Sequence, residues 1–455
     1  MKPTPRTPNA PSQTRSRPKS AGPTASAAES LAKISPARAA AFEILTLVGQ
    51  NKGHSDELLH SPRTSALTLE DRNLATALVM GTLRWQIALD ARLAKLLARP
   101  DQRLAEPVAL ALRLGAFQLL HMDRIPAHAV LNESVELCRA AGHPHAAGMV
   151  NAILRKLAAS QKPGARIFES PAAFAERLAH PLWLVESWVA AYGRETALAI
   201  CEYDQHEPHS GTLFPATGPA PAELTPHIDD GSRLVAELAA AALPHTVSAP
   251  RIWDCCAAPG GKTLILALRH PAAEILATDI SAKRLALTAA RLRQHPYAAN
   301  VRTQVADATS PQATTAVTNF NLILCDVPCT GTGTLARNPE IRHRLRPEDL
   351  TRQAARQRDL LTAAAQRLAP GGRIVYSTCS LEPEENEQVV NAVASATNLR
   401  RVPIAPLLAN LATNSILSDE TAANLIASAI HGDSLRTLPG IHPCDGFYSA
   451  ILERN

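Results

Sequence analysis

The feature that most constrains this chain is the segment from Arg251 to Thr263, RIWDCCAAPGGKT. Ile252 and Trp253 end an apolar approach that predicts a buried strand. Pro259-Gly260-Gly261 then forces a tight turn, because glycine reaches backbone angles that cost other residues energy. The apolar residues that follow predict a helix, so bare backbone at the helix N-terminus can lie beside a nucleotide-like ligand. An ordinary strand-to-helix turn is the alternative for this stretch taken alone.

Four aspartates follow predicted strands at regular intervals: Asp254, Asp279, Asp307 and Asp326. In a doubly wound sheet the carboxyl ends of the strands face one crevice. A carboxylate after the second strand can accept hydrogen bonds from both ribose hydroxyls, and one after the third can reach an adenine amino group. The turn is neither GxGxxG nor the P-loop GxxxxGKS/T, which disfavours NAD and ATP. Several carboxylates suit the sulfonium and ammonium of S-adenosylmethionine, which is the predicted cofactor.

Beyond Thr263, strand-like and helical segments alternate, which predicts an α/β Rossmann-like domain with a doubly wound, mostly parallel sheet over residues 228–455. Strands are predicted at 275–279, 301–307, 322–326 and 373–377, and helices at 283–294, 350–368 and 384–394. The apolar segment 447–452 predicts an edge strand that closes the chain.

The first half of the chain has a different pattern. Residues 1–34 are rich in Pro, Ser, Thr and Ala, with no acidic residue before Glu29, which predicts a disordered basic tail. In residues 35–160 apolar side chains recur at helical spacing, which predicts an all-α bundle of five or more helices. Residues 161–227 predict a helical bridge followed by a linker rich in Pro, His, Gly and Thr.

The bulk composition sets limits on partners and compartment. A net charge of +5 over 455 residues permits an anionic partner such as RNA without requiring one. The eight cysteines form neither a disulfide framework nor a zinc pattern, so reduced thiols and no metal are expected. Neither a signal peptide nor an apolar run of membrane-spanning length is recognisable. These features predict a cytoplasmic, monomeric protein with no membrane partner.

Two of the cysteines, Cys329 and Cys379, directly follow predicted strands, where the aspartates also point. Five of the others are expected to be small buried hydrophobic residues, as a lone cysteine usually is: Cys138, Cys201, Cys255, Cys325 and Cys444. A pair of cysteines has a chemical use beside a methyl sulfonium. Carbon 5 of cytosine becomes nucleophilic only when a thiolate adds at carbon 6. The adduct must later lose its C5 proton and expel the thiolate, and a second polar group nearby assists that step.

In order and spacing, the motifs of residues 228–455 resemble the RNA cytosine-5 methyltransferases of the RsmB/Sun type: DCCAAPGGKT, ATDIS, VADAT, DVPCTGTGTLARNPEIRHRL, YSTCSLEPEENEQVV and DGFYSA. The resemblance implies that Cys379 is the nucleophile and that Cys329 assists product release. It implies that Asp326 contacts both the cofactor and the cytosine edge. The remaining residues implied to bind S-adenosylmethionine are Cys256, Ala257, Ala258, Pro259, Gly260, Gly261, Lys262, Asp279 and Asp307.

The bundle resembles the NusB-like RNA-binding domain, which also precedes the catalytic domain in bacterial ribosomal RNA cytosine-5 methyltransferases. Four stretches carry this resemblance: PARAAAFEILTLV, EDRNLATALVMGTLRW, RLGAFQLLHMDRIPAHAVLNESVELCR and GMVNAILRKLA. Composition and resemblance together make five basic residues of the bundle candidates for phosphate contacts: Arg38, Arg72, Arg84, Arg155 and Lys156. The family usually has a small ferredoxin-like RNA-binding subdomain before its catalytic sheet, and residues 204–229 are too short for one.

The leading hypothesis is therefore an S-adenosylmethionine-dependent enzyme that makes 5-methylcytidine in 16S ribosomal RNA, either free or in early ribosome assembly. A transfer RNA methyltransferase with the same chemistry is an alternative, although the NusB-like bundle favours ribosomal RNA. A non-catalytic RNA-binding or assembly factor is a second alternative, and it would need neither cysteine. A cysteine hydrolase fits poorly, because no histidine motif accompanies Cys379.

Overall fold

The structure is a computed structural model. It describes residues 29–99, 103–160, 170–208, 211–214, 226–244, 247–310 and 319–454. The predicted tail lies mainly outside this set, and so does part of the predicted linker. Within the described residues, no helix is both long and apolar enough to cross a membrane.

The first half of the described chain is a helical bundle, as predicted. Close helix packing explains two of its glycines. A Cβ atom on Gly81 would lie 1.9 Å from the ring of Phe117, and one on Gly115 would lie 2.6 Å from Leu154. The bundle helices are α1 (Pro36–Gly49), α2 (Ser55–Leu59), α3 (Pro62–Ser65), α4 (Leu69–Ala94), α5 (Glu106–His121), α6 (Ala127–Ala140) and α7 (Ala147–Ala158).

Three helices form the bridge between the bundle and the sheet: α8 (Pro171–Arg177), α9 (Leu182–Tyr192) and α10 (Arg194–Tyr203). They share a core in which Trp188 and Phe174 are fully buried. Leu335 and Leu381 from the second half of the chain pack into the same core. The bridge is therefore attached to the second half of the chain by apolar burial, which is the main favourable contribution to such packing.

The second half of the chain forms a nine-stranded mixed sheet in the order β3-β2-β1-β4-β5-β9-β8-β7, with β6 also paired to β9. The five strands from β3 to β5 are parallel, and the pairs that involve β6 to β9 are antiparallel. The strands are β1 (Arg251–Asp254), β2 (Glu274–Asp279), β3 (Val301–Val305), β4 (Phe320–Asp326), β5 (Leu368–Thr378), β6 (Arg400–Val402), β7 (Ile430–His431), β8 (Ser434–Arg436) and β9 (Tyr448–Glu453).

The prediction of a closing edge strand is wrong in its placement. The strand exists as β9, but it pairs with β5 on one side and with β8 and β6 on the other. Its apolar residues are buried on both faces, as is typical of an interior strand. A strand at the end of the chain need not lie at the end of the sheet.

Helices cover both faces of this sheet, as expected for a doubly wound domain. Two large apolar cores, one on each face, contain the strand side chains. The helices are α11 (Asp230–Ala241), α12 (Gly261–Arg269), α13 (Ala282–Leu292), α14 (Ile341–Arg344), α15 (Pro347–Gln366), α16 (Glu387–Thr397), α17 (Ala405–Thr413) and α18 (Asp419–Ser428).

The bundle docks on residues 336–344, which follow the loop after β4. Arg342 is 1% exposed, and its guanidinium donates 3.1 Å hydrogen bonds to the carbonyls of Arg84 and Ala179. The backbone N–H and the hydroxyl of Ser55 donate to the two carboxylate oxygens of Glu340 at 3.1 and 2.8 Å. Because these groups are buried, they have lost their contacts with water, and the hydrogen bonds across the interface take the place of those contacts.

The prediction that Arg38 and Arg84 contact phosphate is wrong, because both side chains are buried. Arg38 is 6% exposed and donates to Gln118 at 2.7 Å and Glu133 at 2.7 Å, inside the bundle. Arg84 is 9% exposed and donates to the carbonyl of Ala336 at 2.8 Å. Both guanidiniums satisfy buried acceptors, so neither is available to RNA.

Candidate active site

The organising turn joins β1 to α12. Gly260 has φ +92°, a left-handed value that favours glycine, and it is the residue directly before the helix. A Cβ atom on Gly261 would lie 2.5 Å from Cγ2 of Ile228. Both glycines are therefore required by the local structure, and the helix begins two residues earlier than the apolar pattern after the turn predicts.

A cavity of about 300 Å³ lies on one side of this turn, lined by Asp254, Asp229, Ser232 and Lys262 among others. The carboxylate of Asp254 is 1% exposed. Its Oδ2 accepts from Thr263 Oγ1 at 2.7 Å, whereas its Oδ1 has no hydrogen-bond partner among the described residues. Burial raises the pKa of Asp254 to about 7. A buried oxygen of this kind is a candidate acceptor for a ligand cation.

A second cavity, of about 540 Å³, lies on the other side of the turn and contains Asp279, Asp307 and both strand-end cysteines. Asp279 is 5% exposed, and its Oδ1 accepts from Ser281 N at 2.8 Å. Asp307 accepts through Oδ1 from the backbone N–H and the hydroxyl of Thr309 at 2.9 and 2.7 Å, and these bonds lower its pKa. Asp307 thus keeps a second oxygen that can accept from a ligand. Oδ2 of Asp279 lies 3.6 Å from Nη1 of Arg284, beyond hydrogen-bond distance, so it also keeps acceptor capacity.

The two cavities share Cys256, Ala258 and Asp326, so they form one groove across the turn. The groove offers an unpartnered buried carboxylate oxygen at one end and two carboxylates at the other. S-adenosylmethionine carries an ammonium and a sulfonium beside an adenosine with hydroxyl and amino donors. This donor set fits the groove, and S-adenosylmethionine is the cofactor. Every predicted cofactor residue lines the groove except Gly260, which shapes the turn.

Cys329 and Cys379 lie on two loops at the carboxyl edge of the sheet. The first cysteine loop is residues 327–331, after β4, and the second cysteine loop is residues 379–381, after β5. The Sγ atoms of Cys329 and Cys379 lie 3.4 Å apart. The hydrogen bond between Cys329 and Cys379, together with burial, raises the pKa of Cys329 well above its usual value. Cys329 therefore stays a neutral thiol at neutral pH. Both cysteines lie just past the ends of β4 and β5, where the sequence predicts them, and the five other cysteines predicted to be buried are buried.

Lys262 and Asp326 form an ion pair in the middle of the groove. The Nζ atom of Lys262 donates to Oδ2 of Asp326 at 2.7 Å, and the hydroxyl of Ser377 donates to Oδ1 at 2.7 Å. Burial works against the charge of Lys262, but the attraction of Asp326 outweighs it and raises the Lys262 pKa. Lys262 is therefore a fixed positive charge, and Cys379 is near enough to interact with it electrostatically.

Sequence reasoning missed two groups at this site. Arg284 lines the larger cavity and donates to the carbonyl of Ala258 at 2.7 Å, which holds the turn from α13. Glu385 is fully buried behind the cysteine loops. A periodic pattern predicts that Arg284 lies on a helix but not what it touches. Three of the four residues at 384–387 are glutamates, and the sequence gives no signal for which of them points inward.

The remaining RNA candidates lie away from the groove. Arg72, Arg155 and Lys156 are exposed on the bundle, and none of them lines either cavity. Arg155 makes a 3.2 Å hydrogen bond to Asn151 on its own helix. These three side chains remain accessible to a phosphate, and their role stays a prediction.

Two family models match the chain in its two halves. The family described as 16S rRNA methyltransferase RsmB/F matches residues 243–453, and the NusB family matches residues 35–159.

Individual relatives match nearly the whole chain. Ribosomal RNA small subunit methyltransferase B of Xanthomonas campestris pv. campestris is 31% identical over 467 residues, which covers 94% of this chain and 99% of that protein. The protein of the same name from Vibrio vulnificus is 30% identical and covers 91% of this chain and 98% of its own length. The crystal structure of the protein PH0851 shares the fold, with a TM-score of 0.69 at 20% identity over 92% of this chain and 99% of that one.

Proposed function

We propose that this chain, which belongs to the family of ribosomal RNA small subunit methyltransferase B, methylates carbon 5 of a cytidine in that RNA. Membership establishes the coarser function, an S-adenosylmethionine-dependent methyltransferase of small-subunit ribosomal RNA. The observation that supports the finer assignment is the pair of thiols 3.4 Å apart at the carboxyl edge of the sheet. Methylation of a ring nitrogen or a ribose oxygen needs no thiol, whereas methylation of carbon 5 needs a covalent nucleophile.

In the proposed reaction, the thiolate of Cys379 adds to carbon 6 of the cytosine and makes carbon 5 nucleophilic. Bound S-adenosylmethionine supplies an electrophilic methyl group at this point in the groove. The C5 proton is then lost to solvent, its bonding pair restores the C5–C6 double bond, and the bond from carbon 6 to sulfur breaks. Cys329, held as a neutral thiol, donates a hydrogen bond to the departing sulfur of Cys379 and so favours release.

The ion pair between Lys262 and Asp326 supports this chemistry. Lys262 places a fixed positive charge near Cys379, on the side of the groove that the cofactor and the base must share. Asp326 is proposed to accept a hydrogen bond from the cytosine edge and to favour protonation at N3, which makes carbon 6 more electrophilic. The carboxylates of Asp279 and Asp307 are proposed to bind the ribose and the adenine, and Asp254 the ammonium of the cofactor.

The bundle is proposed to bind the RNA, with Arg72, Arg155 and Lys156 as phosphate contacts. The proposed domains are the tail 1–34, the NusB-like bundle 35–160, the bridge and linker 161–227 and the catalytic domain 228–455. We propose that a single chain is active, on RNA that is free or in early assembly. A ribosomal RNA substrate supports the predicted cytoplasmic location.

The test is methylation in vitro. The purified chain is incubated with methyl-labelled S-adenosylmethionine and with protein-free 16S ribosomal RNA or transfer RNA, and the modified nucleoside is identified by mass spectrometry. The proposal expects 5-methylcytidine at a defined position in the 16S RNA. Label on another atom of the base would refute the carbon 5 assignment. Label confined to transfer RNA would refute the proposed substrate, and binding without transfer would favour an assembly factor.

A further inference from the structure

The carboxylate of Glu385 lies between the two cysteine loops. It is fully buried, at 0% exposure, two residues before α16 begins. Its Oε1 accepts from Thr330 N at 3.0 Å and from Gln357 Nε2 at 2.8 Å. Its Oε2 accepts from the Thr330 hydroxyl and from Ser380 Oγ at 2.5 Å. One carboxylate therefore binds the residue that directly follows each of the two cysteines.

This arrangement favours a carboxylate. The backbone N–H of Thr330 and the amide N–H of Gln357 can only donate in these contacts, and both point at Oε1. Two hydroxyls donate to Oε2, so all the contacts are made to an acceptor. Burial raises the pKa of Glu385, and the hydrogen bonds from Ser380, Thr330 and Gln357 oppose that rise. A buried carboxylate is tolerated only where it is well supplied with donors, as it is here.

Two further side chains brace the same loops. Gln357, on α15, donates to the carbonyl of Pro328 at 2.9 Å, directly before Cys329. Asn386 donates to the carbonyl of Ser380 at 2.9 Å and accepts from the hydroxyl of Thr378. None of these bonds involves more than one loop. Among the three side chains, Glu385 alone makes hydrogen bonds to both cysteine loops.

We propose that Glu385 is a positioning residue that ties the two cysteine loops together and thereby sets the separation of the Cys329 and Cys379 thiols. The inference rests on the proposed function, because this separation matters only if one thiol forms the adduct and the other assists its reversal. The negative charge of Glu385 also acts on the Cys329 thiol. It helps to raise the pKa of Cys329 and so favours the neutral thiol at that position.

The first experiment measures the separation of the thiols without any methylation. The full chain, without RNA, is treated with dibromobimane, which bridges two neighbouring thiols, and peptide mapping identifies the bridged pair. The Cys329–Cys379 bridge should form readily in the parent chain and not at all in Cys329→Ala. In Glu385→Gln, bridging should fall relative to single alkylation by monobromobimane, because the amide NH₂ replaces an acceptor and repels one donor.

The matched control is Glu237→Gln. Glu237, on α11, is also buried, at 1% exposure, and it lies away from the cysteine loops. Its carboxylate accepts two hydrogen bonds, at 2.8 and 2.7 Å, from Arg269 on α12. It reports the general effect of neutralising a buried carboxylate, so it should leave the Cys329–Cys379 bridge intact. Thr330→Val is the milder second variant. It removes one hydroxyl while keeping the side-chain shape, and it keeps the test available if Glu385→Gln does not fold.

The second experiment follows turnover and adduct on 16S ribosomal RNA. Glu385→Gln should lower kcat by about 10²-fold, since a misplacement of about 1 Å at a reacting group has an effect of that size. Its affinity for S-adenosylmethionine should be unchanged. The protein–RNA adduct should accumulate as it does in Cys329→Ala, because adduct formation needs only Cys379. A merely destabilised protein would instead lose cofactor affinity and adduct together.

Bridging in Glu385→Gln and Thr330→Val that equals the parent's would overturn the inference. So would a fall in turnover without adduct accumulation, or an equal fall in Glu237→Gln. Failure of the proposed function gives a different result: the adduct would then be missing even from Cys329→Ala, while the bridging assay would still report whether Glu385 sets the separation of the thiols.

Discussion

Replacing Asp279 with alanine should weaken the binding of S-adenosylmethionine while leaving the fold of the groove intact. Asp279 ends β2 at 5% exposure, so its charge is poorly screened by solvent. Its Oδ1 already accepts from Ser281 N at 2.8 Å, and the remaining acceptor capacity faces the larger cavity. The alanine variant removes the acceptor for both ribose hydroxyls of the cofactor.

A hydrogen bond to a charged acceptor contributes about 1.5–3 kcal/mol. Loss of two such bonds, partly compensated by water, should cost on the order of 2–4 kcal/mol of binding free energy. That range corresponds to a roughly 30- to 700-fold rise in Kd.

Isothermal titration calorimetry of the full chain with S-adenosylmethionine measures this directly. Ser281→Ala is the matched control, because it keeps the backbone N–H that Asp279 accepts from and should bind the cofactor normally. An Asp279→Ala variant that folds and binds the cofactor with the parent's Kd would refute the ribose assignment and the reasoning from burial and charge.

Three further predictions concern pH, RNA and stability. Since burial raises the pKa of Asp254 to about 7, its carboxylate forms as the pH rises through that value. Affinity for the cationic cofactor should therefore rise from pH 6 to 8 in calorimetry, and Asp254→Asn should lack this rise. RNA binding by the full chain should weaken with salt, and Arg155→Ala and Lys156→Ala should each reduce the slope of log K against log salt by about 1, whereas Arg38→Ala should not change it. Arg342→Met should lower the free energy of unfolding in urea by about 2 kcal/mol or more, because it removes two hydrogen bonds of a buried charged donor.

The parts of the fold that the sequence predicted correctly are those governed by local patterns. The strands β2 and β4 are short apolar segments, and so is the predicted part of β5, residues 373–377; each is followed by a polar or glycine-rich turn. Parallel strands bring such turns to one edge, so the position of Cys329 and Cys379 at that edge followed from the sequence, whereas the contact between their thiols did not. The glycine turn was equally predictable, because only glycine adopts φ +92° freely at Gly260.

The parts that could not be predicted depend on tertiary partners. Arginine is usually a surface residue. Arg38 and Arg84 are nevertheless buried, where they donate to Glu133 and to the Ala336 carbonyl, and both partners are far away in the sequence. The interior position of β9 depends on the pairing of β6 and β8 with the edge of β9 that faces away from β5. Glu385 is one of several glutamates in a polar segment, and only the fold turns it toward both cysteine loops. Local periodicity contains no information about such long-range contacts.

The most direct test of the covalent mechanism compares cysteine variants on denaturing gels after incubation with 16S ribosomal RNA and methyl-labelled S-adenosylmethionine. Without Cys329, the adduct should form and accept the methyl group, but its breakdown should slow by about 10²–10⁴-fold. Cys329→Ala should therefore trap a protein–RNA species that carries the methyl label, whereas Cys379→Ala and the double variant should trap none. Trapping by Cys379→Ala but not by Cys329→Ala would contradict the assigned roles, and full activity of both variants without any adduct would contradict the covalent mechanism itself.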